Sequence, residues 1–220
     1  MTKISKTTQN SIEELDYEKS FIAADPVIFT ISQKKLKILL HKREKDPFKH
    51  KLELPGGLVL SQENAEDTIK RKLTELIGKE DIYFIQFKTF SNPNRDPRRR
   101  VISIGFIALI NSEQINISSE HWHDFNELND LAFDHKIIIK CATEFLKKNL
   151  DEVVAKQFLP QYFPLNNLQE VYELIEGKDY DNRNFRKKMI SSGIVVETEK
   201  KQENCSHRPS KLYTFSDDNS

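Results

Sequence analysis

Residues 57–78 read GLVLSQENAEDTIKRKLTELIG and follow directly on KLELPG at residues 51–56. The pattern predicts a helix over 63–77, because Ala65, Ile69, Leu73 and Leu76 recur at spacings of three and four and so share one face. Gly78 stops that helix, and Gly56-Gly57 lets the chain turn ahead of it, since glycine has no Cβ to restrict its backbone. Upstream, two β-rich runs at 21–32 and 36–43 flank the polar Gln33-Lys34-Lys35 and predict a hairpin. Downstream, strands are expected at 81–90 and 101–110, joined by a polar loop at 91–100 that Pro93 and Pro97 break. A further strand near Trp122 and a helix over 135–148 complete this part. The fold class expected is α+β, a mixed sheet with few helices, over residues 20–150. Residues 1–19 are polar, lack a periodic apolar pattern and form a leader.

The composition changes after Leu150. Beyond a connection with Pro160 and Pro164, residues 165–176 place Leu168, Val171, Tyr172 and Ile175 on one helical face, ended by Gly177. A second helix at 182–191 carries Phe185, Met189 and Ile190 as its apolar stripe, closed by Gly193. Residues 194–198 and 211–215 then predict a β-ribbon around the charged loop 199–210. Helix, turn, helix, ribbon is a winged helix-turn-helix arrangement, assigned to residues 151–220.

Basic and acidic residues balance at 34 each, so a surface for nucleic acid has to be local. One stretch meets that requirement. Between 183 and 211 the cations Arg183, Arg186, Lys187, Lys188, Lys200, Lys201, Arg208 and Lys211 face only Glu197, Glu199 and Glu203, a net of +5. The second helix, NRNFRKKMISSG, offers Asn182, Arg183, Asn184, Arg186, Lys187 and Lys188 on the face its stripe leaves open. Arg and Lys suit phosphates, while Arg on guanine and Asn on adenine suit base edges. A solvated amphipathic helix has the same composition, so both readings stand at this level. Cys141 and Cys205 show no ligand spacing, and the apolar run at 101–110 is half the length of about 20 residues that a bilayer needs. No hydrophobic leader is seen, and the expected location is the cytoplasm, without membrane contact.

The spacing Gly57, five residues, Glu63, seven residues, Arg71, then Leu73, Glu75 and Gly78, behind LPGG, resembles the Nudix box. Taken singly these residues are unremarkable: the glycines suit a turn and a helix cap, Glu63 suits a helix N-terminus, and Arg71 with Glu75 is an ordinary surface pair. The resemblance implies a sheet sandwiched by helices and the cleavage of nucleoside diphosphate derivatives with Mg²⁺ held by carboxylates. This chain departs at the positions that hold the metal. Lys72 and Leu76 stand where the box has glutamates, leaving Glu75 alone, so no catalytic residues and no metal are expected. Mg²⁺ would be needed only if hydrolysis of the ADP-ribose pyrophosphatase type were retained.

The run PLNNLQEVYELIEGKDYDNRNFRKKMISSGIV with HRPSKLYTF, together with HKREKDPFKHKLELPGG and DPRRRVISIGFIALI, resembles the Nudix-related transcriptional regulators over almost the whole chain. That family implies a homodimer that binds palindromic operator DNA and releases it when the Nudix pocket takes up a metabolite. The implied effector is ADP-ribose or a relative, with sugar-responsive members as the alternative; a ligand-sensing scaffold that does not bind DNA is a third reading. No cofactor is required. The resemblance matches Arg183, Asn184, Phe185 and Arg186 to the family's recognition-helix run, with Phe185 packing beneath it, and His207, Arg208 and Pro209 to its wing. Taken with the charge pattern, the candidates for DNA contact are Asn182, Arg183, Asn184, Arg186, Lys187, Lys188, His207, Arg208 and Lys211. Arg43, Lys51, Arg95, Arg98 and Arg99 are the candidates for holding a phosphorylated ligand by charge-assisted hydrogen bonds; a solvated loop is the other reading of the arginine run.

Overall fold

The computed structural model describes residues 19–79, 81–112, 115, 117–202 and 210–216. The expected leader falls almost wholly outside them, and His207 and Arg208 lie outside them too. The first strands are β1 (Phe21–Ser32), β2 (Lys35–Leu39), β3 (His41–Lys42), β4 (Leu52–Glu53) and β5 (Gly57–Leu58), followed by α1 (Ala65–Ile77). Then come β6 (Phe84–Phe90), β7 (Val101–Asn111), β8 (Trp122–Asp124) and α2 (His135–Lys148). The remainder is α3 (Glu152–Lys156), α4 (Leu165–Glu176), α5 (Asn182–Ser191), β9 (Val195–Lys201) and β10 (Lys211–Phe215).

The main sheet runs β6-β7-β1-β2-β8, with β5 also paired to β1. Among the described strands of this sheet, β1 and β7 are the pair that runs parallel, in register from Phe21↔Val101 to Ile31↔Asn111, and both are covered on two faces. Their side chains alternate as a strand requires. Val27, Phe29, Ile107 and Leu109 face a core shared with Ile138, Ile139 and Ala142 of α2; Ala24, Ile28, Phe106 and Ala108 face Ile69 and Leu73 of α1. Strands buried on both faces read as continuous apolar runs, which is why 101–110 looks so hydrophobic.

Several expectations shift. The helix of α1 begins at Ala65, because Asn64 caps it in a reciprocal box with Asp67, so Glu63 precedes the cap. Leu76 is 38% exposed and Ile77 packs instead, since 65, 69, 73 and 77 keep a spacing of four while position 76 is rotated about 100° from 77. The run 36–43 is two strands. After Leu39 the chain leaves the sheet and β3 pairs with β4. The hairpin turn uses Gln33 and Lys34 at φ 54° and 57°, two left-handed positions where sequence rules look for glycine or asparagine.

The connection after Leu150 contains the unexpected α3, capped by Asp151 accepting from the Val154 amide at 2.9 Å. Its Val154 and Ala155, with Phe158 and Leu159, join the α2 face of the sheet to Leu168, Val171 and Tyr172 of α4 in one continuous core. In the C-terminal unit, α4 and α5 have the bounds their periodicity predicts, and β9 pairs antiparallel with β10. Phe163 adds a reciprocal pair of backbone bonds to Tyr213, at 3.0 and 2.9 Å. Phe185 and Met189 are buried, whereas Ile190, expected beside them, is 47% exposed.

Phe185 packs between the rings of Tyr172 and Tyr180, 5.6 and 5.4 Å between centroids. Phe185→Ala is therefore expected to cost about 3 to 5 kcal/mol of unfolding free energy, and Ile190→Ala to stay within about 0.5 kcal/mol. Urea denaturation of the two variants checks this; equal losses would mean that Ile190 shares the core after all.

Candidate functional site

The box residues form a tight ionic knot at the start of α1. Glu63 accepts from Arg71 at 2.6 and 2.9 Å, from the Thr68 hydroxyl at 2.8 Å and from the Leu60 amide at 3.3 Å. Hydrogen bonding from Arg71 above all holds the Glu63 carboxyl down to about 2, against the burial that opposes it. Glu75, the one carboxylate left of the metal set, accepts from Lys72 at 2.8 Å and from Arg71 at 3.3 Å, and Lys72 is the main cause of its lowered pKa. The Lys72 stem lies against the turn: a Cβ on Gly57 would meet Lys72 Cε at 3.0 Å. These donors do not fit a Mg²⁺ site. One carboxylate already bridges two cations, an ammonium stands beside it, and Leu76 offers no oxygen. Among the described residues no group of three or more His, Cys, Asp or Glu converges as metal ligands.

A cavity of about 150 Å³ opens between β1, the Gly56-Gly57 turn, the 95–98 loop and the start of α2. Arg43, Arg95 and Arg98 of the candidate set line it; Lys51 and Arg99 do not. Lys51 pairs with Asp130 at 2.7 Å, and Arg99 lies over the Phe21 ring at 4.6 Å. Each lining arginine already has a carboxylate. Arg43 donates to Glu53 at 2.8 Å, Arg98 bidentately to Asp96 at 3.0 and 2.7 Å, and Arg95 bidentately to Asp134 at 2.9 and 2.7 Å while also reaching Asp25 at 3.4 Å. Burial pushes the Glu53 carboxyl up, but hydrogen bonds from His41 and Arg43 outweigh this and hold it below the usual range. Asp25, Glu53, Phe133 and His135 were not anticipated from sequence. They arrive from β1, β4 and the approach to α2, and no local pattern marks them as neighbours.

At the other end of the molecule, Arg183, Asn184, Lys187 and Lys188 of α5 are exposed, while Asp181 caps the helix by accepting from the Asn184 amide at 2.9 Å. Asn182 turns back to α4, donating to Asn166 at 3.1 Å and Gln169 at 3.3 Å, so its amide serves the helix-helix contact. Arg186 is half-buried against β10, bonded to the Tyr213 hydroxyl at 3.2 Å. Glu197 accepts from that hydroxyl at 3.3 Å and from Lys211 at 2.5 Å. Tyr213 and Glu197, absent from the sequence reading, thus orient two of the expected DNA-contacting cations.

Residues 23–141 match the NUDIX domain family, and residues 155–215 match the NrtR DNA-binding winged helix domain. The chain is 35% identical over 214 residues to the ADPR responsive transcriptional repressor NtrR of Acinetobacter baylyi, covering 92% of this chain and 85% of that protein. The chain belongs to the Nudix-related transcriptional regulators. Within that family, the crystal structure of Shewanella oneidensis NrtR complexed with a 27mer DNA superposes with a TM-score of 0.78 at 29% identity, over 88% of this chain and 93% of that one. The NUDIX domain of the same protein complexed with ADP ribose gives a TM-score of 0.50 at 28% identity, over 65% of this chain and 99% of that one. In this member, the box that gives the family its name holds together a turn and a helix.

A carboxylate whose pKa is depressed on folding contributes stability above its unfolded value and loses it on protonation. Glu63→Gln is expected to lower the melting temperature near neutral pH, with the gap to the unsubstituted protein closing as pH falls below 4.5 toward about 2. Thermal melts across that range check it; a gap independent of pH would mean that the Glu63 charge does not stabilise the turn.

Proposed function

We propose that this protein represses transcription by binding operator DNA through α5 and the β9-β10 ribbon, and that ADP-ribose taken up by the Nudix unit releases it. The observation that carries this is the alignment with the Acinetobacter repressor, which spans both units and not the Nudix fold alone. The exposed cations of α5 support it: Arg183 and Lys187 are four apart, so they project from one face toward a groove or its phosphates. We place the division between the units at residues 150–151, ahead of α3, and the protein in the cytoplasm, with its DNA. No helix among the described residues is long and apolar enough to cross a membrane.

A palindromic operator calls for two copies, with recognition helices about 34 Å apart. One end of the sheet favours such pairing. Phe21 and Ile22 of β1 and Leu58 and Leu60 at β5 are 39 to 54% exposed, and the Val59 amide donates to the Ile22 carbonyl at 2.9 Å, so the four are neighbours. Covering an apolar patch of this kind is the usual drive for subunit association. A Mg²⁺-dependent hydrolase gains no support from the Lys72-Glu75-Arg71 arrangement, and a simple-sugar effector gains none from the relatives named above.

The test is fluorescence anisotropy on DNA from upstream of the protein's own gene, searched for a palindromic site. The chain is expected to bind as a dimer, with log affinity falling linearly with log salt. Arg183→Ala and Lys187→Ala should each weaken binding, and a lost phosphate contact should reduce the salt slope by about one. Binding unaffected by both substitutions would remove α5 from the interface; no binding at any salt would favour the ligand-sensing scaffold.

A further inference from the structure

The connection between the two units reaches the β9-β10 ribbon. It runs through residues 157–164, QFLPQYFP, and Pro160 and Pro164 stiffen its second half, because each fixes its own φ. Phe163 is built into the C-terminal unit: its backbone pairs with Tyr213, and its ring packs on Phe215 at 5.0 Å between centroids. Extended backbone alternates its side chains, so Tyr162, the residue before, falls on the opposite face. There its ring lies beneath the Lys200 ammonium, with Nζ 3.5 Å from the ring centroid. Among the described residues no other cation comes as close to an aromatic face; the next, Arg99 over Phe21, stands at 4.6 Å.

Lys200 contributes to the basic charge of this region but is not one of the residues expected to touch DNA. Alternation along β9 groups Lys200 with Val196 and Thr198, and places Glu197 on the other face, where Tyr213 and Lys211 bond to it. Lys211 is therefore partly neutralised. Lys200 is exposed and has no carboxylate partner among the described residues. A free lysine gives up much rotamer freedom when it binds, whereas one already stacked on a ring has lost part of that freedom beforehand. The ring face attracts the cation from one side only, and the ammonium's outward N–H groups stay available to phosphate oxygens. A ribbon laid along a groove of the duplex has a phosphate strand on either side, so cations on both of its faces come within range.

We propose that Lys200 is a phosphate contact of the ribbon and that Tyr162 is the residue that positions it, which makes the connection between the units part of the DNA-binding surface. The proposal rests on the operator reading above and adds a contact on the face away from Lys211.

Fluorescence anisotropy of the full chain on the same DNA, across a range of salt, tests this. Lys200→Ala is expected to weaken binding about tenfold at low salt and to reduce the salt slope by about one. Tyr162→Leu should weaken binding about threefold, while Tyr162→Phe, which keeps the ring face, should match the unsubstituted chain. Combining Lys200→Ala with Tyr162→Leu should cost no more than Lys200→Ala alone, since the ring acts through the ammonium. An unchanged salt slope in Lys200→Ala would overturn the proposal, as would losses that add in the double variant or a Tyr162→Phe as weak as Tyr162→Leu. Should Tyr162→Leu not fold, NMR of the unsubstituted chain decides. The ε-methylene protons of Lys200 are expected upfield of ordinary lysine positions, shielded by the ring, in the free and the DNA-bound protein; ordinary positions would overturn the role of Tyr162. Absence of DNA binding by the unsubstituted chain would instead overturn the operator reading, and this contact with it.

Discussion

Arg95 brings a full positive charge into the interior, where its side chain is 5% exposed, and the pocket holds its shape because Asp134 and Asp25 meet it there. A buried cation is tolerated only when paired and hydrogen-bonded, and removing one partner of such a pair leaves the other stranded. The pairing ties together the 91–100 loop, β1 and the segment that starts α2. Asp25 is fixed further by the Ser103 hydroxyl of β7. Gly56 follows from the same constraint: a Cβ there would fall 1.9 Å from Asp25 Oδ1, so the turn needs room more than it needs an unusual backbone angle. The retained LPGG motif thus shapes a pocket in a chain that has Lys72 and Leu76 at two of the three box glutamates.

Much of the fold is legible in the sequence because the relevant chemistry is local. Pro164 and Gly177 bound α4, Asp181 caps α5, and the periods of 3.6 and 2 mark faces that do become buried. Two of the errors share one cause. Leu76 and Ile190 sit at the edge of an apolar stripe, where a rotation of about 100° decides between core and solvent and a sequence pattern has no such precision. The Gln33-Lys34 turn was recognisable only from the strands it joins. The arginines of the pocket were legible as charge, but their neutralisation was not: Arg43 finds Glu53 ten residues away and Arg95 finds Asp134 thirty-nine away. Asp25, Glu53 and His135 become neighbours only once the sheet order and the placement of α2 are known.

The same helix serves both ends of the molecule. His135 and the preceding Asp134 contribute to the pocket wall and its Arg95 ion pair at the start of α2. Farther along, Ile138, Ile139, Ala142 and Leu146 belong to the core that continues through α3 into α4. Lys147 reaches the C-terminal cap of α4, its Nζ 3.3 Å from where a Cβ on Gly177 would stand, and α4 in turn packs on α5. Pocket and α5 are therefore joined by packed helices. A ligand that prefers one placement of these helices over another biases DNA binding by that preference alone, and a ligand without such a preference changes nothing.

Release of DNA by ADP-ribose requires a thermodynamic coupling between the pocket and the DNA face, and coupling is reciprocal. Calorimetric titration of ADP-ribose into the free protein and into its complex with operator DNA measures it directly. ADP-ribose is expected to bind the complex more weakly, by the same factor that saturating ADP-ribose weakens DNA binding. Equal ADP-ribose affinity for the free and DNA-bound protein would mean that the two sites are not coupled.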